Sequence, residues 1–355
     1  MKILITGICG FVGQILAQSL SRHVEGLEII GFDNLSRPGS EFNRRKLSPL
    51  NVRFFHADAR IASDIDSLPQ ADWVLDAAAN ASVLAGLGDC AASRQLIEHN
   101  LGSTVNLLEY CRRWRAGFIL LSTSRVYSIP PLAGLEMEAK AKAFAPKAEQ
   151  NWPPGCSPAG IAEGFSTAPP VSLYGATKLA SETLAFEYGA AFGLPVWINR
   201  CGVMAGAGQF GRPDQGIFSY WIHAYAAGRK LKYTGFDGRG YQVRDAFHPS
   251  DLAPVLSQQM SKPSAKPEPP LNFGGGTGNS MSLAQLSDWC AERFGQREIG
   301  SDPKPRPFDL PWVVMDSGGA ARRWGWEPTT ALPAVLEGIA EHARQNPDWL
   351  ERTLA

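Results

Sequence analysis

The opening stretch MKILITGICGFVG constrains this chain more than any other part of it. An apolar run of strand character, Lys2–Thr6, passes directly into Gly7, Gly10 and Gly13 and then into helical spacing. Glycines at these places permit a tight turn, let the backbone approach a pyrophosphate, and allow the helix to pack closely on the strand. The helix then aims its unpaired N–H groups at the anion. Strand, glycine turn and helix in this order predict a dinucleotide site with Gly7, Gly10, Phe11 and Val12 against the cofactor. A purely structural turn is the competing reading.

Asp33 follows Gly13 by 20 residues and closes the second predicted strand. A carboxylate there accepts hydrogen bonds from the adenosine ribose and repels a 2′-phosphate, which favours NAD over NADP. Arg37 pulls the other way, since a guanidinium accepts that phosphate. A strand-end turn former is the plainer reading of Asp33. Asn34, Ser36 and Arg37 join it as expected cofactor contacts. Asp58 and Ala59 after the third strand, and Ala77 and Ala78 after the fourth, complete the set.

The alternation continues along the chain. Lys2–Thr6, Leu27–Asp33, Val52–Ala57, Trp73–Ala78, Phe118–Ser122 and Val196–Arg200 each look like a strand buried on both faces. Val12, Ile15, Leu16 and Leu20 recur at helical spacing, as do Leu96, Ile97, Leu101, Val105, Leu108 and Cys111. The expected fold is therefore α/β, a doubly wound parallel (Rossmann) sheet with a smaller C-terminal α/β substrate lobe. Residues 1–200 and 241–260 are assigned to the nucleotide-binding domain, and 201–240 with 261–355 to the lobe. Residues 129–172, rich in Pro and Gly and without a clean period, read as a long functional loop or mobile flap. Amphipathic helices are expected over 281–295 and 331–345.

Lys plus Arg and Asp plus Glu each number 34, so no net charge draws the molecule to nucleic acid or an anionic membrane. The six cysteines, Cys9, Cys90, Cys111, Cys156, Cys201 and Cys290, are scattered without a C-x-x-C pair, as reduced thiols of a cytoplasmic protein would be. The six histidines are equally dispersed, and no metal site is expected. No apolar run approaches the ~18 residues a membrane span needs, and no leader is expected before the first strand.

Tyr174-Gly-Ala-Thr-Lys178 sits on a predicted helix, and a spacing of four puts the two side chains on one face. A free phenol has a pKa of ~10 and is a poor base at neutral pH. A neighbouring ammonium favours the phenolate. Thr123, ending the Phe118 strand, is placed to share the hydrogen bond of a reacting hydroxyl. A surface Tyr/Lys pair is the ordinary alternative.

Together these elements resemble the extended short-chain dehydrogenase/reductase superfamily of sugar-nucleotide epimerases and dehydratases, over nearly the whole chain. The segments GFDNLSRPGSEFNRRKL, GQFGRPDQG, QVRDAFHPSDL and LNFGGGTGNSMSL are similar to the CDP-tyvelose (CDP-paratose) 2-epimerase branch. The resemblance implies tightly bound NAD, a cofactor-near Asn100, and a homodimer or homotetramer built on helices near 94–115 and 173–192. It implies redox-neutral inversion at C2 of a CDP-linked (deoxy)hexose, with Tyr174 moving the proton, Lys178 holding the nicotinamide ribose and lowering the phenol's pKa, and Thr123 orienting the hydroxyl. Arg244 and Arg306 stand where the family places cations for the substrate's diphosphate; Arg125 and Gln209 are the other expected substrate contacts. Dehydratases of this scaffold carry Asp–Glu after that Thr, whereas Ser124 and Arg125 follow here, so elimination is disfavoured. A UDP-sugar 4-epimerase, another oxidoreductase on the same scaffold and a non-catalytic NAD-binding sensor remain open alternatives. The sequence departs from the family pattern at Asp76 (usually His), Ser128 (usually Gly) and Cys201 (usually His).

Overall fold

Six strand segments line up side by side in the computed structural model, which describes residues 1–87, 92–264 and 266–354; five are mostly buried, and the edge strand Arg53–His56 is partly exposed. Cys90 lies outside the described residues. The strands are β1 (Lys2–Thr6), β2 (Glu28–Asp33), β3 (Arg53–His56), β4 (Trp73–Asp76), β5 (Gly117–Thr123) and β6 (Val196–Cys201). With a short seventh, β7 (Leu271–Phe273), they form one parallel sheet in the order β7-β6-β5-β4-β1-β2-β3. The order reverses beside β1, the switch point at which open α/β sheets bind ligands beyond the strand C-termini. Leu4, Val74, Phe118, Leu120, Val196 and Ile198 are buried in the sheet's core, which explains the continuous rather than alternating apolar runs. Every predicted strand is present to within two residues at either end.

The helices of this sheet are α1 (Phe11–His23), α2 (Ser40–Leu47), α3 (Ala62–Asp66), α4 (Ala92–Ile97), α5 (Ser103–Trp114), α6 (Ser172–Phe192) and α7 (Ala253–Ser261). One π-helical turn, Glu98–Gly102, separates α4 from α5.

Contacts divide the chain into two units: residues 1–126, 173–201 and 249–271, and residues 127–172, 202–248 and 272–355. The boundaries differ from those read in sequence, because 127–172 and 241–248 pack within the second unit and 201 and 261–271 within the first. Its central strand, Val243–Phe247, runs parallel to Val203–Met204 and Trp312–Val313 and antiparallel to Ser280–Ser282. Trp221, Tyr225, Leu286, Leu336 and Ile339, from helices Ile217–Ala226, Leu283–Phe294 and Leu332–Gln345, share a separate core. Those last two helices match the expected amphipathic stretches.

The long segment 129–172 is built rather than loose. It holds a short helix, Ile129–Ala133, and two hairpins, Met137–Lys140 with Ala143–Pro146 and Cys156–Ser157 with Gly160–Ile161. The Lys142 carbonyl accepts the Ser282 hydroxyl (2.7 Å), and its ammonium pairs with Asp288. Strands of two to four residues are too short for periodicity to reveal.

No described helix is long and apolar enough to cross a membrane. The five described cysteines are all buried and free. Among the described residues no group of three or more His, Cys, Asp or Glu is placed to hold a metal.

Candidate active site

Gly7 turns the chain out of β1 with φ +59°, a left-handed conformation that glycine adopts without strain. The Gly10 N–H returns to the Gly7 carbonyl at 2.8 Å, and Gly10 caps α1. A Cβ on Gly13 would stand 2.3 Å from the Gly7 oxygen, and one on Gly7 3.1 Å from Ala78. Only bare backbone fits, so the turn, the head of α1 and the segment after β4 lie close enough to cradle a pyrophosphate. Phe11 and Val12 open α1, Phe11 buried and Val12 half-buried.

Asp33 ends β2 beside this turn. One carboxylate oxygen accepts the Cys9 N–H (3.0 Å), the other the Leu35 N–H (2.8 Å), and the Gly10 N–H also bonds to it. Burial raises its pKa, against the pull of those N–H donors. Asn34 donates to Asp58 (3.0 Å) and accepts the Ser36 N–H, while Arg60 pairs with Asp58 at 2.6 Å. Arg60 first of all, then Asn34, hold the Asp58 carboxyl well below the usual range. The Ala59 carbonyl accepts from Asn106 (2.8 Å). The Thr6 hydroxyl accepts the N–H groups of Ala77 (3.0 Å) and Ala78 (2.9 Å) and donates to Asp76 (2.8 Å). Asp33 and Ala78 thus lie against the glycine turn, Asn34 joins Asp58, and Ser36 is exposed.

Asn100 lies in the π-helical turn. Its amide oxygen accepts the Asn80 N–H (2.9 Å), and its NH2 donates to the Asn80 carbonyl and the Thr177 hydroxyl. It thereby ties the segment after β4 to α6, a link between distant residues that sequence spacing does not reveal. Irregular π turns recur at functional sites.

Tyr174 and Lys178 are buried on one face of α6, a turn apart. The Thr123 hydroxyl is hydrogen-bonded to the Tyr174 phenol and accepts the Arg125 N–H at 3.1 Å. Burial pushes the phenol up to about 12; the Thr123 bond and the Arg125 charge oppose it. The cation acting on Tyr174 is thus Arg125, where the sequence pointed to Lys178. Lys178 is instead lowered by burial and held up by Asp76 and Glu182. Cys201, in register with Thr123 across β5 and β6, is pushed up to about 12 by burial.

Beneath these residues lies a buried ion pair that the sequence reading missed. Arg200 donates through Nε to both Glu182 oxygens (3.1 Å each) and through a terminal nitrogen at 2.7 Å. Ser122 donates to the same carboxylate. Glu182 follows Lys178 by four residues, so the helical face already marked by Tyr174 was the available signal.

Arg244 and Arg306 both belong to the second unit, and the charge of Arg306 acts on Arg244. Arg244 pairs with Asp309 at 2.9 Å, and Gln242 reaches the same carboxylate. Burial lowers Arg244, with Asp309 opposing. Gln209 donates to the Met204 carbonyl (2.9 Å) and packs on Gly216, while its neighbour Phe210 stacks on Trp349. The structure gives these two a role within their own loop and core and does not group them with the arginines.

Comparison with known proteins adds four findings. The model of the NAD dependent epimerase/dehydratase family matches residues 3–274. CDP-paratose 2-epimerase of Salmonella typhi is 31% identical over 352 residues, covering 92% of this chain and 99% of that protein. UDP-glucuronate 4-epimerase of Thermodesulfobacterium geofontis is 25% identical, covering 97% and 96%. The crystal structure of Thermus thermophilus UDP-glucose 4-epimerase in complex with NAD superposes with a TM-score of 0.73 at 25% identity, covering 97% of this chain and 99% of that one.

Proposed function

This chain belongs to the NAD dependent epimerase/dehydratase family, and on that premise we propose that it epimerises a nucleotide-diphosphate sugar, at C2 of a CDP-linked hexose. NAD is the family's cofactor, and the bare-backbone cradle at Gly7, Gly10 and Gly13 fits a pyrophosphate. When bound, NAD supplies a hydride acceptor that returns what it takes. The chain's own part is to move one proton and hold the ring.

The observation that carries the reading is the buried Thr123–Tyr174 hydrogen bond with Arg125 as the adjacent charge. Tyr174, as phenolate, takes the proton of the reacting sugar hydroxyl and gives it back after the carbon is inverted. Thr123 orients that hydroxyl, and Arg125 favours the phenolate against burial. Lys178 holds the nicotinamide ribose, and Asp33 with Asn34, Asp58 and Asn100 fixes the rest of the cofactor. Ser124 and Arg125 cannot supply the acid and base that elimination of water needs. Arg244 and Arg306 neutralise the diphosphate, for which guanidinium geometry is suited.

The carbon inverted distinguishes two readings. Similarity to a CDP-paratose 2-epimerase favours C2. Similarity to UDP-sugar 4-epimerases favours C4, which needs the same Tyr, Lys and Thr. Incubation with a panel of CDP- and UDP-sugars, read by proton NMR and by NADH absorbance, separates them: an epimerase inverts one centre and accumulates no NADH. NADH build-up would identify a dehydrogenase, and no change in any sugar would support the sensor reading. The active form is a homodimer or homotetramer, supported by the exposed apolar side chains Ile97 and Val105 before and within α5 and Leu173 and Phe192 on α6.

A further inference from the structure

Asp76 ends β4, is 3% exposed, and is not used by the chemistry above. A carboxylate removed from water this completely needs hydrogen bonds. They come from the Thr6 hydroxyl at 2.8 Å and from the Ala78 N–H. The Thr6 hydroxyl also accepts the N–H groups of Ala77 and Ala78, so its single proton is committed to Asp76. Asp76 therefore fixes the Thr6 rotor, and the two side chains together fix the backbone of Ala77 and of Ala78, which faces the glycine turn. The spacing there is tight: a Cβ on Gly7 would lie 3.1 Å from both the Cα and the Cβ of Ala78.

Burial raises the Asp76 carboxyl from its ordinary value, and the Lys178 charge, the Thr6 hydroxyl and the Ala78 N–H oppose that rise.

We propose that Asp76 is a positioning residue for the cofactor: with Thr6 it sets the Ala77–Ala78 backbone against the glycine turn. The proposal rests on that turn holding NAD, as read above, but not on the identity of the sugar or on turnover. Its test is therefore NAD affinity of the full-length protein, by titration calorimetry.

Thr6→Val removes the hydroxyl and should weaken NAD about 10-fold, while Thr6→Ser, which keeps it, restores binding. Asp76→Ala removes the acceptor and should weaken NAD about 10-fold, while Asp76→Asn keeps an oxygen for Thr6 and should recover most of that loss. Wild-type affinity in Thr6→Val or in Asp76→Ala overturns the proposal, and so does a Thr6→Ser variant as weak as Thr6→Val. Should Asp76→Ala not fold, the Thr6 pair still decides it. Loss of epimerase activity on every sugar with these NAD results intact would defeat the proposed function and leave this inference standing.

Discussion

Replacing Glu182 by Gln tests whether the site rests on a buried ion pair. Arg200 and Glu182 side chains are only 8% and 2% exposed, and three N–H···O contacts of 2.7–3.1 Å join them, with Ser122 as a further donor. The Gln variant keeps the volume of the side chain but strands a guanidinium in a low-dielectric interior. Breaking a buried pair from one side costs about 3–5 kcal/mol. Because Gln retains one acceptor oxygen, the lower end applies, about 3 kcal/mol, or roughly a 100-fold change in the unfolding equilibrium. Urea unfolding followed by tryptophan fluorescence and far-UV circular dichroism reads this, with Trp73 and Trp197 as buried reporters in the same unit. The double variant Glu182→Leu with Arg200→Met removes both charges and should recover most of the loss, since apolar replacements of buried pairs are often neutral. A Gln variant within about 0.5 kcal/mol of wild type, the range of an ordinary surface change, would refute the reasoning. So would a double variant less stable than either single one.

Three further outcomes follow from the same geometry. Gly13→Ala places a Cβ 2.3 Å from the Gly7 oxygen; NAD affinity should fall roughly 10- to 100-fold by calorimetry, the range of an overpacked contact, and unchanged affinity would remove the cradle from the account. Tyr174→Phe should retain NAD and lose turnover, and it should also flatten the alkaline stability profile. The folded-state pKa of about 12 lies above the ~10 of an unfolded phenol, so Tyr174 contributes stability below pH 10 that is lost as pH rises toward 12. Equal slopes for wild type and Tyr174→Phe in that window, measured by denaturant unfolding, would contradict the burial effect. Arg244→Ala should raise KM for the nucleotide sugar about 10-fold or more with little change in kcat, the loss of a charge-assisted bond, and an unaltered KM would exclude Arg244 from diphosphate binding.

The sheet was legible because strands buried on both faces leave continuous apolar runs, and the glycine turn because a tight approach of backbone to phosphate tolerates no side chain. The place of Asp33 at a strand end and of Tyr174 and Lys178 on one helical face was legible from spacing, and that of Thr123 from the end of an apolar run. Partners that meet only after folding were not. Thr6 meets Asp76 across a separation of 70 residues, Asn100 meets Thr177 across 77, and Arg244 meets Asp309 across 65. Nothing in a local pattern announces such pairs. The Arg125 charge on Tyr174 was hidden for a related reason: it depends on how the chain turns after β5, whereas the Tyr174–Lys178 spacing is fixed by the helix. Hairpins of residues 137–161 escaped notice because their strands are too short to show alternation.

The most direct measurement is turnover of a CDP-hexose carrying deuterium at C2, followed by NMR of the recovered sugar. Transient oxidation with return of the same hydride predicts inversion at C2 with the deuterium still on that carbon and no accumulated NADH. Deuterium lost to solvent would mean proton abstraction at carbon instead. Inversion at C4 with C2 untouched would show that the chemistry is shared but the assigned carbon is not.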